Sequence, residues 1–263
     1  MSAPCVALLT DFGSDSPFVG VMKAVVLRRA PEARVLDVHH GVTPFDIEEG
    51  AFWLQAALPY LPEGAVVAAV VDPGVGTARR ILAARCGAHC LLAPDNGLLP
   101  RALDGWAAVY RTLDLAALQR ALDLPEPSAT FHGRDVFAPV AAALAAGRLD
   151  FADLGPQARP LPPPGRPWRR ALGEAIEGWV VSVDRFGNCI TTLRAADLPP
   201  APEGVVRCAG RSFRRVRTYG EAAAGEAVAL IDSFGMLELA EVQGDLARRL
   251  GIGRGETVRW SPA

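Results

Sequence analysis

Lysine is almost missing from this chain: Lys23 is the only one, against a combined lysine and arginine count of 27. Arginine therefore carries nearly all the positive charge, which reads as a coding bias, and the cluster Arg214, Arg215 and Arg217 is expected to be solvated. Neither sign of charge dominates. The formal net charge is -2, which leaves no basic excess for a phosphate backbone, so no nucleic-acid partner is expected. No stretch reaches the ~18 apolar residues that cross a bilayer, and no membrane contact is expected. The N-terminal "CVALL" is too short for a secretion signal and lacks a basic leader. The 5 cysteines (Cys5, Cys86, Cys90, Cys189, Cys208) form no C-x-x-C framework, and a chain this long needs no disulfide staples. A reducing cytoplasm is the expected compartment.

Half of the chain is hydrophobic, enough for a sizeable core. From residue 1 to 155 strands and helices alternate. "CVALLTDFG" reads as a buried strand ending in a turn, and Ser16-Pro17 as an N-cap followed by proline at the first helical position. Phe18, Met22, Val25 and Arg29 would share one face of the helix that follows. "RVLDVHH" is the next strand, and Ile47, Ala51, Leu54 and Leu58 repeat at helical spacing from Asp46 onward. "AVVAAVVD" is a continuous apolar strand of the kind that a parallel sheet buries on both faces. Two β-like pieces, "ILAARC" and "CLLAP", come next, then a helix through "FAPVAAALAAG". This order implies a layered α/β domain with a mostly parallel sheet, its function at the carboxyl ends of the strands. Residues 156–172 are rich in proline and read as an extended linker. In 173–263 the period falls to about 2, as in short strands of a small antiparallel sheet or barrel.

Four polar clusters fall where strands should end: "TDFG", "VDPGVGTARR", "PDNGLL" and "FHGRD". Strand ends in an open α/β sheet face one crevice, so the four could converge on a single ligand. Each also has a plain reading as turn chemistry, with Asp11 or Asp72 capping backbone amides. Gly74-Val75-Gly76 lacks the third glycine of a dinucleotide fingerprint, and no G-K-[ST] follows it. His39 and His40 with Asp37, and Cys86 and Cys90 with His89, fall short of metal-ligand spacing. No metal is expected.

Taken in order, "LLTDFG", "VGVMKA", "TPFDIEEGA", "VDPGVGTARR", "PDNGLL", "FHGRDVFAP", "DRFGN" and "DSFGMLELA" resemble the S-adenosyl-L-methionine hydroxide adenosyltransferase family, relatives of the bacterial fluorinase and chlorinase. The resemblance runs from about residue 7 to 245. It implies an α/β domain followed by a smaller β-barrel-like domain, a homotrimer with the active site at the subunit interface, and S-adenosylmethionine as substrate with no cofactor. Water or hydroxide would attack the ribose C5′ carbon and release adenosine and L-methionine. Asp72, Arg79 and His132 would be the catalytic set. Asp11 would accept the ribose hydroxyls, Phe45 would lie beside the ribose, and Phe186 and Tyr219 would contact the adenine faces. Asn188 would meet the adenine edge and Ser233 the methionine end, while Asn96 and Asp184 also belong to the implied substrate-binding set. Family hydrolases read D-F-G-x-x-D-P-[YF]-V-G; here Ser16 stands at the second aspartate, with Asp15 just before it, so either could meet the methionine amine.

A sulfonium leaves as a neutral thioether, so this chemistry asks only for a water held in line behind C5′ and relieved of its proton. Asp72 can accept from that water, Arg79 can clamp the carboxylate through its planar fork, and His132 can orient or relay. Arg80, unlike Arg79, is expected to be replaceable. A chloride ion is the competing nucleophile. At ~4 Å and an effective permittivity of ~20 a carboxylate repels a halide by ~4 kcal/mol, so Asp72 favours water. The reading from another class is a non-enzymatic sensor of S-adenosylmethionine or adenosine.

Overall fold

The computed structural model describes residues 3–200 and 203–262. It divides into two compact units, Met1–Pro164 and Gly165–Ala263.

The first unit holds six strands, β1 (Cys5–Thr10), β2 (Arg34–His39), β3 (Val66–Val70), β4 (Ile81–Cys86), β5 (His89–Pro94) and β6 (Ala108–Thr112), in the sheet order β2-β1-β3-β5-β4-β6. The pairs β1/β2, β1/β3 and β3/β5 are parallel, whereas β4 runs antiparallel to β5 and β6. The continuous apolar runs of β1 and β3 are fully buried, as strands covered on both faces must be. From β1 the chain crosses through α1 (Phe18–Arg29) to β2 on one side, then returns through α2 (Ile47–Ala57) to β3 on the other. The carboxyl ends of β1 and β3 therefore meet at the point where strand order reverses, with Thr10 registered against Val70. Asp11 and Asp72 lie just beyond that pair.

Helix α2 starts as its sequence indicates, with the Asp46 carboxylate accepting from Glu49 N. Helix α1 departs from the expectation. Its buried side chains are Val19, Met22 and Val26, whereas Phe18 is 47% exposed. The apolar residues of α1 nearly encircle it, so periodicity left the face open; packing against the later helix over Ala138–Ala145 selects it. Burying Met22 or Val26 contributes about 2 kcal/mol each. Ser16 does not cap this helix either. Its hydroxyl donates back to the Phe12 carbonyl at 2.9 Å, and Pro17, already helical in φ, occupies the N-cap.

The proline-rich segment is extended, but its first part is fastened to the first unit. Ala158 N donates to Tyr110 O at 3.0 Å and Leu161 N to the Asp95 carboxylate at 2.8 Å.

The second unit adds β7 (Arg170–Leu172), β8 (Ala175–Val183), β9 (Cys189–Arg194), β10 (Val205–Cys208), β11 (Arg211–Arg215), β12 (Ala227–Ile231), β13 (Met236–Glu241) and β14 (Thr257–Ser261). Their order, β14-β10-β11-β12-β13-β9-β8-β7, is closed by pairing of β14 with β8 into a seven-stranded barrel. Closure removes the free edges that an open sheet would expose. Val180, Val206, Phe213, Leu237, Leu239 and Trp260 belong to its core. One expectation fails here: Arg215 is 3% exposed, not solvated, because strand alternation puts it on the same face as Phe213. Its guanidinium donates to Glu203 O at 2.6 Å. Arg214 and Arg217 are exposed and pair with Glu226 and Glu221.

All five cysteines are buried and unpaired. No helix among the described residues is long and apolar enough to cross a membrane.

Candidate active site

Three loops meet at the switch point of the first unit. The first follows β1, where the Asp11 carboxylate accepts Phe45 N at 2.8 Å. That bond holds Phe45 at φ 69 with its ring 68% exposed. A left-handed backbone costs a bulky residue about 1–3 kcal/mol and persists only where its surroundings impose it, often at a ligand site. Burial pushes the Asp11 carboxyl above its ordinary value, the Phe45 amide opposes this, and the Asp72 charge adds to it.

The second loop runs from Asp72 to Arg80. Thr77 closes its turn, donating from Oγ1 to Gly74 O at 2.7 Å. At Gly76, φ is 77 and a side-chain Cβ would stand 2.2 Å from the Ala129 carbonyl, so only glycine fits. This contact sets the loop against the third one, which carries His132.

Arg79 joins the other two members of the set. Its Nε donates to Asp72 Oδ1 at 2.8 Å, and its Nη2 donates to both Asp72 Oδ2 and His132 Nδ1, the latter at 2.8 Å. The Asp72 and Arg79 side chains are only 5% and 11% exposed, so the fork–carboxylate pair is shielded from water. A guanidinium is a donor only, so His132 Nδ1 must accept and the ring proton of neutral His132 sits on Nε2. Burial and then the Arg79 charge lower the His132 pKa, against the pull of Asp72 and Asp135. Asp135 is itself a fixed anchor. Burial would raise it, but Arg134 and Ser128 outweigh this and hold it at about 2.

A cavity of about 290 Å³ opens over these groups, its wall including Asp11, Phe12, Phe45, Asp72, Phe131 and His132. Phe12, Phe18 and Phe131 pack edge to face, with centroids 5.1 to 6.0 Å apart. Sequence alone assigns none of these three rings to the site, although Phe12 lies within "DFG" and Phe131 within "FHGRD". The result is an apolar recess with a carboxylate, a clamped carboxylate and a neutral imidazole in its wall.

The second unit has a cavity of its own, of about 690 Å³, with Phe186, Asn188, Tyr219 and Gln243 in its wall. Asp184 accepts from Phe186 N and Asn188 N, both at 2.9 Å, and from Asn188 Nδ2 at 3.1 Å. The Asn188 amide is thereby oriented, with its oxygen and one N–H left to meet a ligand.

Other residues named from sequence lie elsewhere. Asp15 and Ser16 are not in the wall of the first cavity. Asn96 ties two backbone segments together, donating to Val71 O at 2.9 Å and accepting from Leu98 N at 3.2 Å. It thus fastens the residue before Asp72. Ser233 is exposed in the turn after β12 and outside both cavity walls. His40 is packed between Thr10 Oγ1 and Asp37 at 2.9 and 3.1 Å, and the His39 ring lies 5.3 Å from Trp53. Among the described residues no His, Cys, Asp and Glu gather as a metal site.

A bonded carboxylate, guanidinium and imidazole at the switch point of an α/β sheet, followed in the chain by a closed barrel with an oriented amide, mark the protein as an enzyme of two-unit design. The models of the SAM hydroxide adenosyltransferase N-terminal and C-terminal domains match residues 6–155 and 178–259, and the chain belongs to that family. It is 45% identical to the (R)-S-adenosyl-L-methionine hydrolase of Thermus thermophilus over 97% of this chain and 98% of that one. The enzyme of the same name from Salinispora tropica is 40% identical over 97% of each. A crystal structure of an uncharacterized conserved protein from Thermotoga maritima superposes with a TM-score of 0.88 at 30% identity, over 97% of this chain and 99% of that one.

Proposed function

We propose that this enzyme hydrolyses S-adenosyl-L-methionine to adenosine and L-methionine, with water as nucleophile at the ribose C5′ carbon. The observation that carries the reading is the continuous Asp72–Arg79–His132 bond series beside Asp11. As the water oxygen bonds to C5′, the C5′–S electron pair passes to sulfur, which leaves as the neutral thioether of methionine, and one water proton is released. His132 presents an Nε2 proton and so orients the water rather than taking its proton. Asp72 keeps lone pairs beyond those engaged by Arg79 and is the acceptor. No metal or cofactor is asked for, because the sulfonium is already a good leaving group. Asp11 takes the ribose hydroxyls beside Phe45. The Asn188 amide meets the adenine amino group and ring nitrogen as an acceptor–donor pair, a match that asparagine makes with adenine. Phe186 and Tyr219 flank the base, and Ser233 with Asp15 or Ser16 meets the methionine end.

The test is chromatography of the purified protein with S-adenosylmethionine, with and without chloride. Adenosine and methionine in equal amounts are expected in both, and recovery of intact substrate would defeat the reading. Run across pH, kcat/KM should fall on the acid side only below pH 6.5, the ordinary histidine value. Protonation there puts a second proton on Nδ1, against the Arg79 donor. An acid limb lying above that value would remove His132 from the assigned role.

The enzyme is further proposed to work as a cytoplasmic homotrimer, one copy's first-unit cavity combining with the next copy's second-unit cavity. The exposed rings of Phe45, Phe186 and Tyr219 support this, since large apolar groups exposed in a monomer commonly mark a contact. Light scattering should give three times the 27.8 kDa chain mass. Mixing inactive Asp72→Asn and Asn188→Ala chains under exchange conditions should restore part of the activity; no recovery in proven mixed trimers would sink the shared site.

A further inference from the structure

The wall of the second-unit cavity is backed by a buried acid with no cation beside it among the described residues. Glu238 lies on β13, 4% exposed, on the strand face opposite the core residues Leu237 and Leu239. Its neighbours in register are Leu230 of β12 and Ile190 of β9, both apolar and buried. The titratable groups facing it are Asp184 from the turn after β8, Asp232 from the turn after β12, the thiol of Cys189, and Tyr219. None is basic. Burial pushes the Glu238 carboxyl up to about 7, with Asp232 and Asp184 adding to the rise and the Tyr219 hydrogen bond opposing it. For stability alone such a group is a poor choice, because well-packed apolar replacements of buried charged residues are often neutral or stabilising.

What Glu238 does have is one directed contact: the Tyr219 hydroxyl donates to its Oε1. Burial and then Glu238 itself raise the tyrosine pKa, so the phenol keeps its proton and remains the donor. Tyr219 sits in a short helical turn, Tyr219–Glu221, with its ring 43% exposed in the cavity wall. An aromatic ring so exposed is free to turn unless tethered, and a ligand that stacks on it must then supply the ordering.

We propose that Glu238 is a positioning residue, tethering the Tyr219 phenol so that its ring face is already set against the wall where the nucleobase of the substrate stacks. The inference rests on the reading of the second-unit cavity as the adenine side of the site. It assigns Glu238 no contact with substrate.

Four variants of the full-length enzyme test it: Glu238→Gln, Glu238→Leu, Tyr219→Phe and the Glu238→Leu/Tyr219→Phe double. Freed ring motion should raise KM, and the Kd for adenosine by calorimetry, about fivefold to tenfold in Glu238→Leu, with kcat within about twofold. Thermal stability should hold or rise in that variant, which a merely structural acid would not allow. Glu238→Gln keeps an acceptor for the phenol and should restore near wild-type KM. Tyr219→Phe removes the same bond from the other side, so the double variant should be no worse than either single. Multiplying effects in the double, an unchanged KM in Glu238→Leu, or a loss of stability with kcat and KM changing together would each overturn the tether. Wild-type protein that neither binds adenosine nor releases it from S-adenosylmethionine would instead defeat the proposed function. Wild-type activity that these variants leave untouched would defeat the tether alone.

Discussion

Asp72→Asn is expected to lower turnover of S-adenosylmethionine by about a hundredfold to ten-thousandfold, the range general-base residues supply. Adenosine affinity should stay within about threefold, ~0.7 kcal/mol. The asymmetry follows from where the carboxylate points. Both Asp72 oxygens meet the Arg79 fork, while under the proposed function the nucleoside is held by Asp11 and the aromatic wall of the cavity. An amide in place of the carboxylate keeps the shape, but loses the charge that accepts a water proton, and it turns an NH2 toward the donors of Arg79. Calorimetry with adenosine, set beside product release from the same preparation, separates the two quantities. Activity like that of the wild type would return Asp72 to the plain reading of a turn-capping acid. Lost adenosine binding would show that the residue shapes the cavity rather than the chemistry.

Arg80→Ala is expected to produce the largest loss of stability of any exposed-residue change in the first unit, about 2–3 kcal/mol, or a fall in Tm of about 5–10 °C. Arg80 pairs with Asp95, whose side chain is 1% exposed, and it also donates to Arg159 O at 3.0 Å. Without the guanidinium the buried carboxylate keeps only the Leu161 amide at 2.8 Å. Removing one partner of a buried pair costs about 3–5 kcal/mol, and the figure is reduced here because Arg80 is itself 44% exposed and water can reach the gap. Adding Asp95→Asn should recover much of the loss, since a neutral amide still accepts from Leu161. Specific activity per folded molecule should stay near that of the wild type. That pair of outcomes would make Arg80 replaceable for the chemistry, the expectation from sequence, but not for the fold. A Tm unchanged in Arg80→Ala would show the pair to be inert.

The Arg80–Asp95 pair shows how far the sequence could be read. Its signal lay in the hairpin: Ile81 registers against Pro94, so the residues just outside, Arg80 and Asp95, stand opposite each other. That requires a register, and no turn motif announced one. The β1 and β3 runs were legible because burial on both faces leaves a continuous apolar string. The Asp72, Arg79 and His132 set was legible only as ordered motifs, since 53 residues separate Arg79 from His132 and spacing alone cannot join them. Asp184 and Asn96 carried the look of ligand residues, yet their polar atoms largely serve adjacent backbone and side chains. Their part is to aim Asn188 and to secure the approach to Asp72. Glu238 was hidden for another reason. Alternation along "MLELAE" gives it the face away from the barrel core, where an acid looks unremarkable, and only the fold lays Tyr219 over it.

The buried cysteines have a practical corollary. Burial pushes Cys90 and Cys189 up to about 12 and Cys208 to about 11, and raises Cys5 and Cys86 as well. Alkylating reagents attack the thiolate, so the native protein offers them almost nothing at neutral pH. A fluorophore could therefore be attached through one added thiol, for instance at exposed Ser233. No native sulfur would first have to be removed, and the dye would report directly from the turn assigned to the amino-acid end of the substrate.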